Sequence, residues 1–73
     1  YNEYVMTGLR TQWGCRLEQI ERMGAHFAVY FCQQVQAFLR QGLVRADNDV
    51  FTLSRSGKLL ADFVSAELFW VEG

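Results

Sequence analysis

A chain of 73 residues has room for one small domain, and at 51% hydrophobic and 15% aromatic it has the composition of a globular protein. Seven Lys and Arg stand against eight Asp and Glu, a net charge of −1, which argues against a dedicated nucleic-acid binder because such domains concentrate cations on one face. No apolar run reaches the roughly 20 residues of a membrane span, and no signal peptide opens the chain.

A core this small rarely supplies more than about 3–5 kcal/mol of net stability. Two Trp, three Tyr and six Phe are expected to carry much of it, since each aromatic buries about 150–250 Å². The chain opens on Tyr1 without an initiator Met and enters a helix at once, so it is expected to be an excerpt from a longer protein. Cys15 and Cys32 are the only thiols and form no CxxC pair. Cys32, in an apolar stretch, reads as a buried hydrophobe. With nothing else pointing outside the cell, a reduced, cytoplasmic chain is expected.

Tyr1, Tyr4, Val5, Gly8 and Leu9 repeat at the spacing of one helical face, predicting a first helix over about 1–12 with Gly14 as its stop. "CRLEQIERMG" predicts a short second helix with Leu17, Ile20 and Met23 inside and an outer Glu18–Arg22 pair. Its start has no Ser, Thr, Asp or Asn cap, and Gly24 ends it. The third helix, about His26–Gln41, has the strongest stripe: Phe27, Phe31, Val35 and Phe38, widened by Tyr30 and Leu39. Gln33, Gln36 and Arg40 line its other side, and Gly42 stops it. "LVRADNDVFTLS" predicts a hairpin of about 43–46 and 50–53 around Asp47-Asn48-Asp49. Ser54 caps a last helix over about 55–70, with Leu60, Phe63, Val64 and Leu68 inside and Leu59 and Phe69 beside them. The expected class is therefore mainly α with a small β-hairpin (α+β). The helix-helix-helix-hairpin-helix order is that of a winged-helix domain, with a three-helix bundle and irregular loop as the alternative.

In a DNA-binding winged helix the third helix enters the major groove. Arg40, Arg45, Arg55 and Lys58 are the cations available near the hairpin base, but Asp47, Asp49 and Asp62 lie close in sequence, and phosphate binding needs several converging cations. His26, the only His, is expected to cap its helix or face water, since no second ligand is near it for metal or haem. Ser54, Ser56 and Ser65 have no His or acid at a nucleophile's spacing. Gly57-Lys58 lacks the GxxxxGK spacing of a phosphate loop, and Gly57 instead lets the hairpin pack closely. No catalytic, cofactor-binding or metal-ligating residue is assigned.

Gly8 is the anomaly: a mid-helix glycine costs about 1 kcal/mol relative to Ala. On an apolar face it admits another backbone at close range. Arg10 beside it, on the side of Glu3 and Met6, either pairs with an acid or points into an interface or at an anionic ligand, and Trp13 is placed to cover its guanidinium.

"YNEYVMTGLRTQWG", "FLRQGLV" and "FTLSRSGKLLAD" together resemble the C-terminal domain of the oxygen-independent coproporphyrinogen III oxidase family, HemN and its relative HemW, over about Tyr1–Phe69. The most specific part is "NEYVMTGLRT..G". The resemblance implies a winged-helix-like accessory domain of a radical S-adenosylmethionine protein of porphyrin or haem metabolism. In that family a catalytic barrel, not this segment, holds a [4Fe–4S] cluster through CxxxCxxC. Gly8, Leu9, Arg10 and Gly14 match the domain's own motif and are implied in interdomain or ligand contact, with the barrel of the same chain as partner and porphyrinogen or haem reached through it. Two departures are Arg16, where relatives often carry a small polar cap, and "RMGAHF" in place of an "FG"-type turn. The full GLR segment favours the HemW-like haem-chaperone branch over the oxidase. A nucleic-acid-binding or protein-interaction winged helix is the alternative.

Overall fold

The computed structural model describes residues 1–71. The chain runs α1 (Asn2–Leu9), β1 (Cys15–Arg16), α2 (Leu17–Met23), α3 (Ala25–Arg40), β2 (Val44–Asp47), β3 (Val50–Leu53), α4 (Arg55–Leu59) and α5 (Ala61–Leu68). Five helical segments pack around one antiparallel sheet of order β1-β3-β2, so the domain is α+β. The expected order of helices and hairpin is present, with an added strand between the first two helices and a last helix broken in two.

α3 is the spine. Its Ala28, Phe31, Val35 and Phe38 are buried, and Phe31 meets Phe51 of β3 edge-on with centroids 5.0 Å apart, joining helix to sheet. The helix ends as a Schellman motif: Leu43 N–H donates to the Phe38 carbonyl at 2.9 Å and Gly42 N–H to Leu39 at 3.2 Å, with Gly42 at φ 76. The hairpin then turns through two residues. Asn48 and Asp49 both take left-handed conformations, φ 51 and 62, as a type I′ connection requires to match strand twist. Asp47, expected in the turn, is instead the last residue of β2 and pairs with Val50.

α1 stops at Leu9, short of the expected residue 12. Thr11 takes over the helix end, its N–H and hydroxyl both donating to the Gly8 carbonyl at 3.1 and 2.9 Å. Gly14 is therefore not the stop. At φ 74 it leads into β1, where Cys15 pairs with Phe51 and Arg16 with Val50. A Cβ on Gly14 would overlap the Phe51 carbonyl. Cys15 and Arg16, expected to begin the second helix, are strand. Cys15, not Cys32, is the fully buried thiol, and Cys32 is half-buried.

Ser54 caps α4 as expected, accepting from Gly57 N–H at 3.1 Å while its hydroxyl donates to the Gly42 carbonyl at 2.5 Å. Gly57 sits so close to the chain entering β2 that a Cβ would overlap the Leu43 carbonyl. α5 answers to other neighbours: it packs on α1 and α3 through the fully buried Val64 and Leu68. One continuous helix does not satisfy both seats, and the chain breaks at Leu60, φ −116 and ψ 26. The break corrects the expected inner stripe. Leu60 and Phe63 are 46% and 54% exposed, and Leu59 is 86% exposed.

Gly57→Ala is expected to cost on the order of 2–3 kcal/mol in urea denaturation, because α4 must lift off the Leu43 backbone. Gly42→Ala, with open space around it, is expected to lose only about 1 kcal/mol from its left-handed backbone. Equal losses at the two positions would show that α4 is not clamped.

Candidate functional site

Three of the four motif residues turn inward. Gly8 lies on the buried face of α1, where a Cβ would stand 2.7 Å from Cys15 Sγ and 3.0 Å from the Gly14 carbonyl oxygen. The backbone it admits is thus this chain's own, at the entry to β1. Leu9 is fully buried in the core, and Gly14 is buried against β3. Arg10 points the other way. Its guanidinium donates to Asp62 Oδ1 on α5 at 2.7 Å, with the two side chains 55% and 90% exposed. An ion pair that open is worth about 0–1 kcal/mol, so stability alone does not explain the arginine. Trp13, expected to cover the guanidinium, is 73% exposed.

Arg10 and Asp62 line a shallow cleft of about 430 Å³ together with Lys58, Leu59, Leu60, Ala61 and Phe63. None of these apolar residues was assigned to a site from sequence. A signal was present: Leu59, Leu60, Phe63, Val64 and Leu68 span a wider arc than one buried stripe needs.

The two ends of the described chain meet at a second cluster. Tyr1 stacks on Phe27 with centroids 4.8 Å apart and planes 2° from parallel, and Trp70 stands edge-on to Phe27, Tyr30 and His26. Asn2 brackets the Trp70 backbone, its Nδ2 donating to the Trp70 carbonyl at 3.0 Å and its Oδ1 accepting from the Trp70 N–H at 2.6 Å. Tyr1 and Tyr30 hydroxyls donate to the Leu68 and Phe69 carbonyls, each at 2.8 Å. His26 is exposed, as expected, and its ring leans on Phe27. Sequence reading missed this cluster because it joins Tyr1 and Asn2 to residues 67 or 68 positions away.

The described residues do not fit an iron–sulfur cluster. Such a cluster needs several converging thiolates. Here Cys15 Sγ is sealed beneath α1, directed at the Val5 carbonyl at 3.7 Å, and burial pushes its thiol up from 9.0 to about 12. Cys32 stands on α3 beside Leu17 and Val29, its pKa also raised, first by burial. Among the described residues no group of three or more His, Cys, Asp or Glu is placed to hold a metal ion, and no helix is long and apolar enough to cross a membrane. The hairpin tip presents Asp47, Asn48 and Asp49 to solvent.

The HemN C-terminal domain family matches residues 1–60. The chain belongs to that family. No curated protein and no solved structure matches it. The match takes in Gly8, Leu9, Arg10 and Gly14 and ends at the α4–α5 break, so Arg10 lies in the part shared with the family and its partner Asp62 just beyond it.

Two outcomes follow from the thiols. At about pH 8 an aromatic disulfide reagent is expected to titrate Cys32 in the native chain and Cys15 only after unfolding; equal rates would mean that α1 lifts readily from β1. Cys15 is neutral when folded, and its folded value lies above its ordinary one. Its contribution to stability is therefore whole below 9.0 and is lost as pH rises toward about 12. Tyr1, also raised mainly by burial, acts in the same sense. Urea midpoints measured from neutral to alkaline pH are expected to hold level and then fall.

Proposed function

We propose that this chain is the accessory C-terminal domain of a radical S-adenosylmethionine protein of the oxygen-independent coproporphyrinogen III oxidase type, acting in porphyrin or haem metabolism. The observation that carries the reading is the family match over residues 1–60, which includes the whole GLR motif. On this reading the winged-helix-like domain packs on the catalytic barrel of the same polypeptide, near the substrate or haem site, in the cytoplasm. The [4Fe–4S] cluster and S-adenosylmethionine belong to the barrel and supply the radical chemistry. This domain adds a surface and no reacting group, in keeping with two thiols that do not converge. Arg10 is the motif residue available for that surface, since Gly8, Leu9 and Gly14 are used inside the fold. The GLR segment favours the haem-chaperone branch over the oxidase. Nucleic acid fits less well, because the acidic hairpin tip would meet phosphates with the wrong sign.

The full-length parent is expected to carry CxxxCxxC upstream and, reconstituted anaerobically, to show cluster absorbance, to bind haem stoichiometrically and to leave coproporphyrinogen III unoxidised. Turnover of coproporphyrinogen III would reverse the branch, and a parent without the cluster motif would sink the reading. Arg10→Ala is expected to lower stability by less than about 1 kcal/mol while cutting haem binding severalfold, with Arg10→Lys recovering part. A lower melting temperature with unchanged haem binding would make Arg10 a surface ion pair and nothing more.

A further inference from the structure

The α4–α5 break leaves Leu59, Leu60 and Phe63 together on the surface, 86%, 46% and 54% exposed. Scattered exposed apolar residues are ordinary, but a contiguous apolar patch rimmed by charge marks an interaction site. The rim here is unbalanced. Arg10 and Lys58 border the cleft, and Asp62 is the one acid among its lining residues. Arg55, three positions before Lys58 on α4, is exposed as well and adds to the positive side. The chain as a whole carries −1, so this is a local excess of positive charge on an acidic molecule. The patch is also held in place from behind. Gly57 seats α4 against the Leu43 backbone, and Ser54 ties the start of α4 to Gly42, so a partner meets a preformed surface and binding need not order it first.

We propose that this face receives a segment of the catalytic domain of the same polypeptide, one that lays an apolar side chain against Leu59, Leu60 and Phe63 and brings a carboxylate to Lys58 and Arg10. The inference rests on the family reading above, which supplies the catalytic domain, and deepens it by naming the face and the chemistry of its partner. The Arg10–Asp62 pair is the exchangeable element. Being open to water it is weak, and it holds the guanidinium at the cleft wall until an incoming carboxylate shares it. Docking removes water from the cleft, which strengthens charge-assisted hydrogen bonds formed there. The partner is thus an acidic, apolar peptide segment; a basic one would meet Lys58 and Arg55 unfavourably.

The test uses the full-length parent with a benzophenone amino acid at position 59, irradiated, digested and mapped by mass spectrometry. Leu59 is exposed enough to replace without unfolding, and the same probe at Val29, 58% exposed beside Cys32 in a different cleft, serves as control. Cross-links from position 59 are expected to gather on one catalytic-domain peptide with an Asp or Glu beside an apolar residue. The paired reversal Arg10→Glu and Lys58→Glu is expected to cut their yield at least fivefold, and Lys placed at the partner acid to restore it. Melting curves of each variant separate lost docking from lost folding. Scattered cross-links, links to a second copy or to another protein, a target peptide without an acid, or a yield indifferent to charge reversal would each overturn the proposal. Iron and sulfide content are read on the same preparation. A cluster-bearing parent with scattered links overturns the docking face alone, whereas a cluster-free parent overturns the functional reading even where one acidic peptide still supports the face.

Discussion

α1, β1 and β3 can lie against one another only because two side chains are missing between them. Gly8 brings the backbone of α1 onto the Gly14 carbonyl and the Cys15 sulfur, and Gly14 in turn brings its own backbone onto the Phe51 carbonyl. The helix-propensity cost of Gly8 is about 1 kcal/mol. Against it stand Val5 and Leu9, both fully buried and each worth about 1.5–3 kcal/mol when removed from water. Burial wins. Without that close seat α1 would ride higher, β1 would lose its pairing with Phe51, and Cys15 would reach water.

Seating α1 also decides where the motif faces. A helix set that tightly on a sheet has one side wholly committed, and Gly8 and Leu9 are on it. Arg10, the next residue, is carried round to the solvent side, where α5 offers Asp62. The paired hydrogen bonds of Asn2 to Trp70 and that of Tyr1 to Leu68 stitch the start of α1 to the end of α5, and Tyr30 of α3 adds a bond to Phe69. The two helices that bear Arg10 and Asp62 are thereby held as one unit, so an exposed and individually weak ion pair has a defined position.

α4 supplies the other half of the surface by a conflict of constraints. Gly57 ties it to the hairpin while Val64 and Leu68 tie α5 to α1 and α3. The compromise at Leu60 turns three large apolar side chains outward, at a cost that an isolated domain gains nothing from. On the proposed reading, docking on the catalytic domain would recover that cost on binding.

Local chemistry was enough for much of this architecture. The α3 stripe, the Ser54 cap, the hairpin at Asn48-Asp49 and the close approach at Gly8 are each specified within a few neighbouring residues, where periodicity and turn preferences act. The family motif was legible for the same reason, being contiguous from Gly8 to Gly14. Tertiary structure alone decided the rest. A two-residue strand such as Cys15–Arg16 has no period of its own and exists only because Phe51 and Val50 are there to pair with it. The break at Leu60 arises from two docking surfaces competing for one helix, and the pairing of Arg10 with Asp62 from bringing α1 beside α5. Cys32, expected to be buried, is only half-buried, while α1 seals Cys15 completely. Sequence by itself determined the long helix, the hairpin and their caps, whose signals are local; the short strand, the break at Leu60 and the side chains left outside depended on how the elements, once formed, constrained each other.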